Sequence, residues 1–133
     1  MKNLTQLNLS SNQLQALPIE IYNLPLALLD LQNNHLNTLD NDGLAKLKTL
    51  QVLNISHNQF EALPEAIGKL PKLGQLQASN NKIKVPLPHS LTNAPMLRTL
   101  NVSVNQLTAA FDVSTGQPLR LGHLQHLDLR RNR

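Results

Sequence analysis

The chain has 133 residues, 41% hydrophobic but only 2% aromatic, with no cysteine and a formal net charge of +4. That length accommodates one domain with its own core, and the missing cysteine excludes a disulfide-stapled scaffold and favours a reducing compartment or an excised fragment. Only 15% of residues are charged, so the basic balance biases the surface towards acidic partners without naming one.

Met1-Lys2-Asn3 leads directly into a recurring pattern. No signal-type segment precedes it, and no apolar run is long enough to cross a bilayer. The first unit is Leu4-x-x-Leu7-x-Leu9-x-x-Asn12-x-Leu14. The second runs from Leu26 through Leu29, Leu31 and Asn34 to Leu36, and the third from Leu50 through Leu53, Ile55 and Asn58 to Phe60. The fourth runs from Leu73 to Ile83, the fifth from Leu97 to Leu107, and the sixth from Leu124 to Asn132. The asparagines at 12, 34, 58, 81, 105 and 132 are 22, 24, 23, 24 and 27 residues apart. A fixed period of 20–50 residues is the mark of a repeat architecture.

Within each unit, x-L-x-L-x alternates with the period of a strand, so the leucines face one way and the x positions the other. One such strand cannot bury its leucines. Parallel stacking at about 4.8 Å per step sets each leucine on its copies above and below. The asparagine follows the strand, where the chain turns inward and strands backbone groups that a carboxamide can satisfy. Asn12, Asn34, Asn58, Asn81, Asn105 and Asn132 are therefore expected to form a structural ladder.

The chain then returns to the next strand. Leu17-Pro18-x-x-Ile21-x-x-Leu24 and Leu63-Pro64-x-x-Ile67-x-x-Leu70 share one form, in which proline fits the first position of a short helix or 3₁₀ turn. The second return reads Leu39-Asp40-Asn41-Asp42-Gly43-Leu44, with Asp40 or Asn41 able to cap a turn. The fourth carries Val85-Pro86-Leu87-Pro88, too rich in proline for a regular helix at that point. The stretch 109–118 breaks the pattern, and its Ser-Thr-Gly-Gln-Pro run reads as a loop. It is either a tolerated bulge or a contact loop.

These residues resemble the leucine-rich repeat family over essentially the whole chain. The LPxxIxxL returns are similar to the typical intracellular class found in Ras-associated and polarity scaffolds. The resemblance implies an α/β solenoid: a right-handed superhelix in a horseshoe arc of six repeats. A parallel sheet would line the concave face, with 3₁₀ or helical turns and loops on the convex face. It implies one array over 1–133. A solenoid needs polar end units, and neither end shows one, so the array reads as a segment of a longer one, or as one whose open ends other subunits cover.

The x positions fall in three columns on the expected concave face. The first is Gln6, Leu28, Val52, Gln75, Thr99 and His126, and the second is Asn8, Asp30, Asn54, Gln77, Asn101 and Asp128. The third is Ser10, Gln32, Ser56, Ser79, Ser103 and Arg130. This amide-rich face suits hydrogen bonding to a peptide or protein loop, with Leu28 and Val52 as an apolar anchor.

Chemistry is sparse. His35 and His57 adjoin ladder asparagines, and His123 and His126 lack carboxylate or cysteine partners at metal-site spacing. Asp30 and Asp128 share a column but stand about 19 Å apart at strand spacing, too far for paired acid–base work. No glycine-rich phosphate loop occurs. The chain reads as a non-enzyme with no cofactor and no metal. Arg120, Arg130, Arg131 and Arg133 with His123 and His126 make one end basic, but stacking aromatics are absent and nucleic acid is not the expected partner. Asn3, Asn8, Asn54 and Asn101 head N-glycosylation acceptors, and sugars on the last three would block the concave face.

The expectation is a cytoplasmic protein-interaction scaffold that grips an unidentified protein or peptide in its hollow. Two alternatives stand beside it: the ligand-recognition part of an extracellular receptor, and an architectural subunit of a large complex.

Overall fold

The structure, a computed structural model, describes residues 2–112, 114, 116 and 122–133. Residues 113, 115, 117 and 118 of the stretch 109–118, and Arg120 of the basic end, lie outside the described residues. The described residues form six strands of three residues each: β1 Gln6–Asn8, β2 Leu28–Asp30, β3 Val52–Asn54, β4 Gln75–Gln77, β5 Thr99–Asn101 and β6 His126–Asp128. They form one open parallel sheet in the order of the sequence. The register puts Leu7, Leu29, Leu53, Leu76, Leu100 and Leu127 in one row.

That row and its neighbours make the core. Leu53, Ile55, Phe60, Leu73 and Leu76 have no exposure at all. Leu4, Leu7, Leu9 and Leu124 are only partly covered but pack on the same cluster. A solenoid buries each repeat against its neighbours, so the outermost repeats keep one uncovered side.

The returns are short. 3₁₀ turns occupy Ile19–Asn23, Glu65–Lys69 and His89–Asn93, and one α-helical turn occupies Asn41–Leu44. Pro18, Pro64 and Pro88 stand one residue before their turns, with ψ between 134° and 140°. This differs from the first-position expectation. The proline carbonyls accept from the N–H three residues on, at 3.1–3.2 Å, so proline sets the entry angle from just outside. The fourth return also follows the common form, set one residue further from its ladder asparagine: Leu87, Leu91 and Ala94 around Pro88 are buried. The prolines at 86 and 88 precede that turn and leave it intact.

In the second return Asp40 is the cap, accepting from Gly43 N at 2.9 Å. Asn41 instead reaches the next repeat, where its Oδ1 accepts from Ala66 N at 2.9 Å. Tyr22 fills the space beneath, and its hydroxyl accepts from Asp40 N. Two glycines allow the returns to stack. A Cβ on Gly43 would stand 2.5 Å from Tyr22 Cδ2, and one on Gly68 would stand 2.5 Å from Leu91 N. Phe111, at the start of the irregular stretch, is buried, and Leu87 N donates to Ala110 O.

Candidate functional site

The strand register stacks the first two columns as whole rows. Gln6, Leu28, Val52, Gln75, Thr99 and His126 are direct partners in sequence, and so are Asn8, Asp30, Asn54, Gln77, Asn101 and Asp128. Leu28 and Val52 are neighbours across β2 and β3 and both are half-buried. A short strand leaves little slack, because a one-residue slip would turn the core leucines outward.

The second column is less free than its composition suggests. Each Asn or Asp turns one side-chain oxygen back onto its own chain. Asn8, Asp30, Asn54, Asn101 and Asp128 accept from the backbone N–H two residues on, at 2.9–3.1 Å. This is the Asx-turn chemistry by which Asn and Asp close bends. Gln77 is too long for it. There Ser56 Oγ bonds Ser79 N and Ser79 Oγ instead.

The third column is only partly open on the concave face. Ser56 and Ser103 are buried, because the chain is already turning inward at that point. The next residue in every unit takes positive φ: Ser11, Asn33, His57, Asn80, Val104 and Arg131 lie between 54° and 58°. The Asn-Asn doublets at 33–34 and 80–81 were the available signal, since asparagine tolerates this conformation.

The turn ends at the ladder asparagine. Asn58 Nδ2 donates to Leu31 O at 2.9 Å, Ile55 O at 3.1 Å and Ser56 O at 3.2 Å, and its Oδ1 accepts from Leu36 N at 3.0 Å. Asn34, Asn81, Asn105 and Asn132 bridge adjacent repeats in the same way. Among the described residues Asn12 bonds only Leu9 O and Ser10 O of its own unit.

Electrostatics are concentrated at β6. Arg130 forms a 2.7 Å ion pair with Asp128 and holds its carboxyl down to about 2, through its side-chain and backbone hydrogen bonds. His123, His126, Arg131 and Arg133 are exposed beside it. His35 Nδ1 lies 3.3 Å from Gln59 Nε2. Among the described residues no group of three or more His, Asp or Glu is placed to hold a metal. No helix among them is long and apolar enough to cross a membrane.

A further column went unread in the sequence. Thr5, Ala27, Gln51, Gly74, Arg98 and Gln125 precede the strands, and their backbones are linked in series from Ala27 N→Thr5 O to Gln125 N→Arg98 O at 2.7–2.8 Å. They form a rim along the edge where the chain enters the sheet.

Residues 25–83 match a family model described as leucine rich repeat, and residues 3–24 match a second of the same description. The chain is similar to osteomodulin of Bos taurus, at 31% identity over 93% of this chain and 22% of that protein. Three solved structures share the architecture. The first is the leucine-rich repeat protein LIC12759 of Leptospira interrogans, with TM-score 0.88 and 34% identity, covering 99% of this chain and 32% of that one. The second is the plant peptide hormone receptor RGFR1 in complex with RGF2, with TM-score 0.70 and 28% identity, covering 99% and 25%. The third is the functional domain of InlJ from Listeria monocytogenes, which includes a cysteine ladder, with TM-score 0.63 and 25% identity, covering 97% and 30%. The chain thus spans from about a fifth to a third of the length of each relative.

Proposed function

Because this chain belongs to the leucine-rich repeat proteins, a fold that generally mediates protein–protein interaction, we propose that it is a scaffold module contacting a protein or peptide through its concave face. The observation that supports this most is the pair Leu28 and Val52, side by side and half-buried on an otherwise polar sheet. A desolvated aliphatic spot ringed by polar groups is the usual anchor of an interface. Gln75, Gln77 and Thr99 beside it offer side-chain hydrogen-bonding groups that the backbone does not use among the described residues. A pre-ordered sheet also loses little entropy on binding. The module carries no catalysis in this reading. The test is capture of the native partner by Leu28→Asp and Val52→Asp. Loss of capture with unchanged melting supports the reading, and undiminished capture removes the anchor.

The scaffold is read as cytoplasmic. The second reading, a ligand-recognition segment of an extracellular receptor, draws support from the likeness to RGFR1, whose structure was solved in complex with RGF2. Intact mass of the native protein separates the two: sugar on Asn3, Asn8, Asn54 or Asn101 favours the receptor.

The array is also read as a segment whose edges are covered in the working protein, by further repeats or by neighbouring subunits. Leu127 is 40% exposed and Leu129 is 36% exposed, a cost that stacking another unit would remove. Light scattering that finds this chain a stable monomer at high dilution would contradict that part.

A further inference from the structure

The rim that precedes the strands carries a gap and a charge. Between Gln51 and Arg98 the rim residue is Gly74, held by Gly74 N→Gln51 O and Arg98 N→Gly74 O, both 2.8 Å. Nothing in the fold demands glycine there. Its φ lies outside the left-handed region, and an added Cβ would meet only Met96 O at 3.6 Å and Gln51 O at 3.8 Å, ordinary contacts. Gly74 lies in an open surface depression of about 910 Å³. Val52, Pro71 and the 49%-exposed Met96 give it an apolar floor, and Lys72 and Arg98 stand at its margin. The volume is in the range of ligand-accepting sites.

The charge around it is of one sign. Residues 45–51, 69–74 and 94–98, which lead into β3, β4 and β5, carry Lys46, Lys48, Lys69, Lys72 and Arg98 and no carboxylate, Glu65 standing one turn before Lys69. Six of the eight acidic residues (Glu20, Asp40, Asp42, Glu61, Glu65 and Asp112) lie outside the strands and outside these lead-in segments. The other two, Asp30 and Asp128, sit in β2 and β6, and Asp128 is taken up by Arg130. The ion pairs among the described residues are Lys84–Glu61 and Arg130–Asp128, so the rim cations are not neutralised from within.

We infer that this rim is the docking site for an acidic peptide segment, with one aliphatic side chain seated over Gly74 and flanking carboxylates against Lys72 and Arg98. The inference rests on the reading of the chain as a protein-binding module and names the chemistry of what it binds. A buried apolar anchor would supply affinity, and the cations would supply orientation and encounter rate.

The test is fluorescence anisotropy of the full chain with a labelled hexapeptide of glutamates and aspartates around one central leucine. Saturable binding that weakens as salt rises is expected. Gly74→Val fills the notch and should weaken binding about tenfold with unchanged melting, and serine in place of the peptide leucine should do the same. Lys72→Gln and Arg98→Gln should each weaken it about threefold, while Lys82→Gln, the same charge change outside the rim, should leave it unchanged. Equal affinity for wild type and Gly74→Val overturns the proposal. So does an equal loss with Lys82→Gln, or full competition by an oligothymidylate of the same charge. Absence of peptide binding, with partner capture still lost in Leu28→Asp, sinks the rim and leaves the broader reading standing.

Discussion

Asn58 and Asn12 hold the same place in their repeats and live in different surroundings. Asn58 is buried and joins two repeats, bonding Ile55 O and Ser56 O of its own unit and both Leu31 O and Leu36 N of the preceding one. Asn12 is exposed and, among the described residues, bonds only its own unit. The leucines repeat the contrast: Leu53 has no exposure while Leu127 is 40% exposed. The same residue in the same motif is therefore not the same interaction. In a one-dimensional stack, a side chain's worth is set by how many neighbours flank it.

The largest expected effect follows directly. Leu53→Ala should cost about 3–5 kcal/mol, because transfer loss and an uncollapsed cavity add. Leu127→Ala should cost under about 1 kcal/mol, since much of that side chain is already in water. Urea titration of the two variants checks the ratio. Comparable losses would mean that the outer repeat is covered as fully as the inner ones, and the contrast would fail.

Next comes the convex side. Gly68→Ala should destabilise by about 2–3 kcal/mol, because the new methyl overlaps Ser90 Oγ and the Leu91 backbone and must push the third 3₁₀ turn away. Gly122→Ala, with nothing within 4 Å, should be neutral within about 0.5 kcal/mol. Thermal melting of the pair measures whether close stacking is confined to the interior returns.

The asparagine pair is third. Asn58→Ala strands buried backbone groups in two repeats and should cost about 1–3 kcal/mol. Asn12→Ala should change stability by less than about 0.5 kcal/mol. Hydrogen exchange sharpens this: the Leu36 amide should lose protection in Asn58→Ala, because Asn58 Oδ1 is its acceptor.

The strands and their parallel register were legible because two simple periods coincide in the sequence: alternation within x-L-x-L-x and near-regular spacing between units. Hydrophobic patterning fixes register wherever one face is buried. The positions of the concave columns followed from the same alternation, but their chemistry did not. That Asn54 turns its oxygen onto Ser56 N, and that Ser56 is buried, depend on where the bend begins within a unit. The role of Asn41 depends on the neighbouring return, since its acceptor oxygen serves Ala66, 25 residues on. The notch at Gly74 is legible only once Gln51 and Arg98 are known to flank it. Contacts between repeats carry no local signature when each repeat is read alone.

A smaller effect, of opposite sign, tests the bend. Five of the six units place Ser, Asn, His or Arg at the positive-φ position, but the fifth places Val104 there, at φ 54°. A β-branched side chain in the left-handed region is strained by about 1–2 kcal/mol. Val104→Asn should therefore stabilise the chain by about 1 kcal/mol and raise the melting midpoint. An unchanged or lowered midpoint would show that packing of the half-buried valine already offsets the strain.

The smallest effect lies at β6, where the last unit has the ion pair Asp128–Arg130 in place of the Asn101–Ser103 pairing of β5. The folded Asp128 carboxyl sits at about 2, below its unfolded value of about 3.9. Its contribution is therefore complete above the unfolded value and fades as pH falls towards 2. Because the pair is exposed and salt-screened, the effect on global stability should be slight, and carboxyl-carbon NMR is the suitable measurement. Wild type should titrate near 2, and Arg130→Gln should return the midpoint towards about 3.9. If the midpoint stays low in that variant, the Arg130 backbone N–H, and not its guanidinium, holds Asp128 ionised, and the last unit bends as the inner ones do.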